Sequence, residues 1–281
     1  MSIKKVSGSL LACVAFVASL LAIVNIANAA AREEGRVLTA TEVLEEVEGM
    51  PDQRLPDLLL QHAYGIAVIP DVTKLAFIFG GRRGHGVLVV RDTLTAPWSN
   101  PTFVTLTGGS WGFQAGAESA DIILVFTTKK GIEGIAGGKL TLGADASVAT
   151  GPVGRQGSAA TDIGFGSEIY SYARTRGLFG GIALDGSVIS SDWSANAAFY
   201  GKSGVTPTEI FSGQVQPSPA TAATAQRFLD RLAQSTRTTA NAATGVAPNP
   251  APGTTAPGAP PAAAEPPRTY PLEQQNLSVE H

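Results

Sequence analysis

The chain has a single cysteine, Cys13, and it lies in an apolar leader. Outside that segment there is no thiol, which excludes a disulfide framework and a cysteine-ligated metal. Histidine is almost as scarce. His62, His85 and His281 are far apart and match no metal-ligand spacing. A basic excess is missing too. Lys4 and Lys5 belong to the leader, and without them 18 of the 20 lysines and arginines stand against 23 acidic residues, a net charge near −5. Nucleic-acid binders carry a strong basic excess, so that class is excluded, whereas a local basic patch for anionic lipid is not. What is abundant is glycine, at 32 residues. Without a collagen period, so much glycine predicts tight turns and close backbone approaches.

Residues 1–29 read as a secretory signal. Lys4 and Lys5 form the positive start, Leu10–Ile26 the apolar run, and Ala27-Asn28-Ala29 a small-residue site, so cleavage is expected after Ala29. Two other readings of this segment stay open. Val6–Ala31 is nearly long enough to remain as a membrane anchor. Leu10-Leu11-Ala12-Cys13 resembles a lipobox, which would place a lipid on Cys13. All three put the domain on the exported side, in the periplasm or cell envelope. The organisation expected beyond the leader is a domain over residues 30–215, an amphipathic helix over 216–240 and a disordered Pro/Ala-rich tail over 241–281. The tail's composition cannot bury enough apolar surface to order itself.

Thr39–Gly49 predicts a short helix capped by Thr39 or Thr41, with Val43, Leu44 and Val47 as its apolar stripe. Pro56–His62 predicts a second. Strand-like runs follow: Gly65–Ile69 ending at Pro70, Lys74–Phe79 ending at Gly80-Gly81, and Gly86–Arg91. Thr102–Leu106 and Phe113–Glu118 flank a turn at Gly108-Gly109, and Glu118 and Asp121 mark a solvated turn. Asp121–Thr127 is apolar enough to be buried on both faces. Lys129–Ala136 predicts a helix ending at Gly137-Gly138. Lys139–Leu142, Ala144–Ala149, Ile169–Thr175 and Gly181–Ile189 predict strands, Asp192–Tyr200 a capped helix, and Pro207–Phe211 a helical turn. Ala220–Arg237 is amphipathic through Phe228, Leu229 and Leu232, and either packs on the domain or lies on a membrane. The fold class expected is α+β and β-dominated. It is a Gly-rich antiparallel sheet closed or nearly closed into a barrel or sandwich, with short helices at the N- and C-terminal ends.

Candidate chemistry is thin. Gly108-Gly109-Ser110-Trp111-Gly112 matches the G-x-S-x-G elbow of serine hydrolases, which needs a strand before the serine and a helix after it. A strand is predicted after it instead, and His281 is the sole later histidine. Gly201-Lys202-Ser203 resembles the end of a P-loop, but Asn196 stands where the first glycine belongs. The basic residues are more suggestive. Arg82, Arg83 and His85 cluster at a Gly-rich turn, Lys129 and Lys130 open a helix, Lys139 and Arg155 stand near further glycines, and Arg174 and Arg176 lie at a strand end. Ordinary solubilising charge is the alternative for each. Phosphate groups prefer turn amides and helix N-termini, and arginine holds a phosphate with two parallel hydrogen bonds.

WSNPTFVTLTGGSWGFQAGAESADIILVF resembles the core of the SYLF domain, also called the Ysc84 or DUF500 family. Within it GGSWGFQAGAE at Gly108–Glu118 is the most distinctive piece. The likeness continues through Gly137–Arg155, Ile169–Ile189 and Phe199–Gly213, in one order along the chain. The resemblance implies binding of phosphoinositides and other anionic phospholipids, with no cofactor and no catalytic residue. Some eukaryotic members also bind actin and carry SH3 or FYVE domains, and a secretory leader would keep this chain from cytosolic actin. In some members a basic amphipathic N-terminal segment helps to bind lipid, whereas Thr39–Gly49 is acidic here.

The function expected is non-catalytic binding of an anionic phospholipid surface in the cell envelope. Arg82, Arg83, Lys129, Lys130 and Lys139 are the candidate headgroup contacts. The alternatives are an envelope structural or protein-interaction module and, more remotely, a serine hydrolase using Ser110. Intact mass spectrometry of the exported protein checks the leader. A chain beginning at Ala30 is expected, whereas a retained Met1 or a lipid adduct on Cys13 indicates one of the other two readings.

Overall fold

The structure is a computed structural model that describes residues 28–50, 55–76, 79–111, 116–152, 166–175 and 178–244. Cys13, the leader's positive and apolar regions, Arg155, Arg176 and the tail from residue 245 lie outside the described residues. Helix α1 covers residues 28–48 and α2 Asp57–Gln61. Four long strands follow: β1 (Gly65–Ala76), β2 (Phe79–Val90), β3 (Thr102–Trp111) and β4 (Gly116–Phe126). Then come α3 (Lys129–Ala136), β5 (Lys139–Thr141), β6 (Val148–Thr150), β7 (Ile169–Thr175), β8 (Leu178–Gly181) and β9 (Val188–Ser191). The last elements are α4 (Trp193–Tyr200), α5 (Pro207–Phe211) and α6 (Ala222–Thr244).

The strands form one sheet in the order β5-β9-β3-β2-β1-β4-β7-β6, with β8 also pairing β7. Among the described strands only the β6–β7 pair is parallel. The two ends of this order, β5 and β6, are consecutive in the chain and joined by residues 142–147 alone. That link reaches at most about 25 Å, whereas eight strands laid flat would separate the edges by about 34 Å. The sheet therefore has to curl until its edges approach, and an isolated bridge joins Leu142 to Ala146 there. The result is a strand-dominated α+β half-barrel with helices at both chain ends, the nearly closed form of the expected sheet.

Both faces of the sheet are buried. Ile123 and Val125 of β4 point outward under α1, α4 and α6, against Val43, Phe199 and Phe228. Ile122, Leu124 and Phe126 point inward to a second core with Ile132 and Ile135 of α3. Asp121–Thr127 is thus apolar on both sides, as its composition indicated. Helix α6 packs on the domain, with Phe228 and Leu232 buried and Leu229 partly so.

The main departure from the sequence reading lies in the glycines. Gly80-Gly81 and Gly108-Gly109 do not turn the chain: the first pair lies within β2, the second within β3, paired in register Gly80↔Ser110, Gly81↔Gly109 and Arg82↔Gly108. Of these, Gly108 is tight, with a Cβ there 2.6 Å from Ser187 Oγ, whereas Gly109 is open, and the closest approach comes farther along β2. A Cβ on Gly86 would stand 2.2 Å from the Val68 carbonyl oxygen and 2.6 Å from Ile69 Cα. One on Gly84 would stand 2.5 Å from Val72 Cγ2. Without these side chains, β1 folds over the inner face of β2.

The same bend explains why Gly65–Ile69 and Lys74–Phe79 are not two strands. A bulge between Ile69 and Val72 absorbs Pro70, which has no N–H to give the ladder, and keeps β1 continuous. Asp71 sits in the bulge at φ 50 and donates its N–H to Asp121 Oδ1 at 3.0 Å. Asp121 Oδ2 accepts from Arg174 Nε and Nη2 at 2.9 and 2.6 Å. Asp121 therefore pins a bulge from within β4 and does not mark a solvated turn.

Two further boundaries differ. Thr39 and Thr41 do not cap α1, which begins at or before residue 28. Their hydroxyls donate back to the carbonyls of Gly35 and Val37, one turn earlier. Gly181–Ile189 is not one strand. It splits into the end of β8 and the start of β9 around Gly186 at φ 74. Asp192 does cap α4, accepting from the Ala195 N–H at 3.1 Å.

Gly86→Ala is expected to destabilise the protein by about 3 kcal/mol, at the upper end of overpacking costs, because backbone atoms must move. Gly109→Ala, whose Cβ meets nothing within 4 Å, is expected to stay within about 0.5 kcal/mol. Urea unfolding of the two variants checks both values.

Candidate functional site

The β2–β3 ladder has no register shift, so side chains along β2 alternate strictly between faces. Arg82 shares the inner side with Leu88, and Arg83 shares the outer side with His85 and Val87. Two adjoining clefts meet at this end of the sheet. One, of about 560 Å³, is lined by Arg32 and Arg36 of α1 with Arg83, His85, Asp71 and Thr73. The other, of about 750 Å³, is lined by Arg82, Arg83, Thr107, Gly108, Gly109 and Gly186. Arg83 and Thr73 border both.

The charges in this region differ in how far they are satisfied. Glu33 is fully buried and held by Arg32 at 2.9 Å and Arg36 at 2.6 Å. Arg36 also reaches Asp192 at 3.4 Å, tying α1 to the cap of α4. His85 Nδ1 lies 3.2 Å from Thr105 Oγ1 and 3.5 Å from Asp192 Oδ2. Burial, then the charge of Arg36, pushes the His85 pKa down against the pull of Asp192. Arg82 donates from Nη1 to the Ala183 carbonyl at 3.4 Å, but its Nε is buried without a partner. Burial lowers its pKa as well. Arg83 is exposed and has no carboxylate partner among the described residues.

The five candidate headgroup residues do not form one surface. Arg82 and Arg83 meet at the cleft end. Lys129 and Lys130 lie about 25 Å away along the sheet, beyond the Gly65↔Phe126 pairing. Lys129 pairs with Asp92 at 2.5 Å and lies 5.8 Å from the Tyr64 ring centroid. Lys130 pairs with Glu168 at 3.3 Å. Glu168 also accepts the Ser147 N–H at 2.7 Å, a bond that, ahead of Lys130, holds its carboxyl below the usual range. These lysines thus meet carboxylates that brace α3 and the β6–β7 edge. Lys139 is exposed on edge strand β5, opposite Ser190. Arg174 is taken up by Asp121 and Glu46.

Arg32 and Arg36 escaped the sequence reading because the first helix was started at Thr39. Their spacing of four, which puts both on one face of a helix, was the available signal. The acidic Thr39–Gly49 is therefore only the later part of a longer helix whose start carries arginine.

The hydrolase motif lacks its geometry. Ser110 lies within β3 opposite Gly80, not at a strand–turn–helix elbow. His85 pairs with Thr105, five residues and about 16 Å along the ladder from Ser110. No group of three or more metal-ligating side chains occurs among the described residues. No described helix is long and apolar enough to cross a membrane.

The class defined here is a curled α+β half-barrel with an arginine-lined end. Residues 107–234 match the Ysc84 (SYLF) family, described as Las17-binding protein actin regulator. That segment runs from β3 into α6. LAS seventeen-binding protein 3 of Saccharomyces cerevisiae is 35% identical over 172 residues, 60% of this chain and 37% of that protein. Protein YSC84 of the same yeast is 36% identical over 172 residues, 60% of this chain and 36% of its own length. SH3 domain-containing YSC84-like protein 1 of Xenopus laevis is 31% identical over 185 residues, 66% of this chain and 54% of that protein. The chain thus spans between about a third and about a half of these relatives. Two of the names state a Las17-binding function or an SH3 domain, and none of the three names an enzyme.

A pH dependence follows from His85. Its folded pKa lies below the ordinary 6.5, so the unfolded chain takes up a proton that the folded site resists. Stability is expected to fall as pH drops through that range, and His85→Gln to flatten the profile. Urea unfolding between about pH 7.5 and about pH 5.5 checks it.

Proposed function

We propose that this chain is an exported, non-catalytic module that binds anionic phospholipid surfaces through the arginine-lined end of its half-barrel. The observation that carries the reading is the meeting of Arg32, Arg36, Arg82 and Arg83 around two adjoining clefts. Arg83 is exposed and has no carboxylate partner among the described residues, and Arg82 is partly dehydrated with an idle Nε. A guanidinium that has already lost part of its hydration gives up less on meeting a phosphate, and it offers paired donors. The leader supports an envelope setting, where anionic headgroups are the abundant partner. Lys129 and Lys130, already paired, contribute less.

A second reading, a protein-interaction module, is favoured by the names of relatives that bind Las17. The two readings separate by experiment. Flotation of the exported protein with vesicles is expected to require an anionic phospholipid and to weaken as salt rises. Arg82→Glu and Arg83→Glu are each expected to lower vesicle affinity about fivefold or more, from about 1 kcal/mol per surface cation. Lys129→Glu is expected to change it less than twofold. Equal flotation on neutral and anionic vesicles at low salt, with a protein partner recovered from lipid-free extract, would favour the second reading.

A further inference from the structure

A cavity of about 230 Å³ lies in the helical layer, remote from the arginine clefts. Leu44 and Val47 of α1, Leu55 and Leu60 around α2, Ile66 of β1 and Leu232 of α6 form its apolar wall. Its polar side holds Asp57, Gln234, Ser235 and one ion pair, Glu48 Oε2 to Arg231 Nη2 at 2.5 Å. Glu48 stands twelve residues along α1 from Arg36, about 18 Å away. The cavity therefore belongs to neither cleft.

Two features mark it as a site and not a packing fault. Native interiors rarely leave voids larger than a water molecule, and an apolar void of about 150 Å³ is dry and takes up benzene. In addition, Glu48 Oε1 and Arg231 Nε are both buried without a hydrogen-bond partner. The ion pair thus leaves one acceptor and one donor idle, and a small movement of either side chain turns them to a ligand.

We infer that this cavity binds the alkyl chain of a single-chain amphiphile about eight carbons deep, with a hydroxyl head at the Glu48–Arg231 pair. A hydroxyl donates to Glu48 Oε1 and accepts from Arg231 Nε at once. A carboxylate head accepts only, and meets the charge of Glu48. An apolar tail fills the wall left by the six aliphatic side chains.

The probes are 1-octanol and octanoate, titrated into the full exported chain with melting temperature and calorimetry as readouts. A saturable rise in melting temperature with 1-octanol is expected, with octanoate at least tenfold weaker. Val47→Phe, which fills the cavity, is expected to abolish the response. If that variant fails to fold, NMR contacts from the octyl chain to the Leu44 and Leu60 methyls of the wild type carry the test. No saturable response to 1-octanol overturns the proposal, and so does an undiminished response in Val47→Phe or contacts elsewhere on the protein. A cavity that instead receives a side chain of a partner protein gives that first, negative outcome. Octanoate binding as tightly as 1-octanol overturns the hydroxyl assignment.

Discussion

The close approach of β1 onto β2 at Gly84 and Gly86 is the constraint on which the architecture depends. Any side chain at Gly86 would enter the Val68 carbonyl, so only hydrogen lets the two strands fold together at this point. The bulge around Pro70 and Asp71 supplies the extra residue that the bend needs, and Asp121, held by Arg174, fixes it. Once the central pair is bent, the outer strands follow, and β5 and β6 come near enough for six residues to connect them. The inner volume that remains is filled by α3. Small residues fit that helix to the sheet: a Cβ on Gly131 would already touch the Phe126 ring at 3.0 Å, and one on Gly65 would touch Ile132 at 3.1 Å.

The bend also arranges the charges. Because β2 runs to the rim of the curl, adjacent arginines 82 and 83 face opposite sides of the sheet yet border one continuous pair of clefts. Helix α1 lies across the outer side and adds Arg32 and Arg36, which a fully buried Glu33 holds in place. A buried carboxylate between two arginines fixes their position, and removing one arginine leaves a charge without its partner in a dry site. At the other end of the sheet the cations serve the fold. Arg91 donates to the carbonyls of Leu60 and Gln61 at the end of α2 and of Ala63 just past it, satisfying groups that a helix end leaves open. Lys129 and Lys130 meet carboxylates. Cations near glycine therefore divide into those that brace the sheet and those that face outward, and position along the strands decides which.

Local pattern alone was enough for the elements with short-range signals. Helix α3 begins and ends where Lys129–Ala136 and the following glycines place it, because a 3.6-residue period and a terminal glycine are properties of neighbouring residues. The burial of Asp121–Thr127 on both faces, the Asp192 cap of α4 and the helical turn at Pro207–Phe211 are of the same kind. The α+β, strand-dominated class also followed from the run of short apolar segments, and the family likeness from several long matches in one order. Glycine misled because it has no side chain to declare its use: the same residue serves a turn and a strand crossing at van der Waals distance. Gly80-Gly81 and Gly108-Gly109 read as turns for that reason, and a turn placed there separated residues that are in fact partners in a ladder.

What the sequence by itself determined was the strand-dominated α+β class, the extent of α3 and the cap of α4, that a disulfide framework and a cysteine-ligated metal lack their residue outside the leader, and which family the chain resembles. Each of these rests on identity, composition or spacing within about ten residues. Only the tertiary structure decided that Arg32 and Arg36 stand beside Arg82 and Arg83, that Lys129 and Lys130 stand elsewhere with Asp92 and Glu168 beside them, and that a void lies between three helices. Those facts depend on contacts between residues dozens of positions apart. Such contacts are set by the hand and curl of the sheet, and no local pattern carries them.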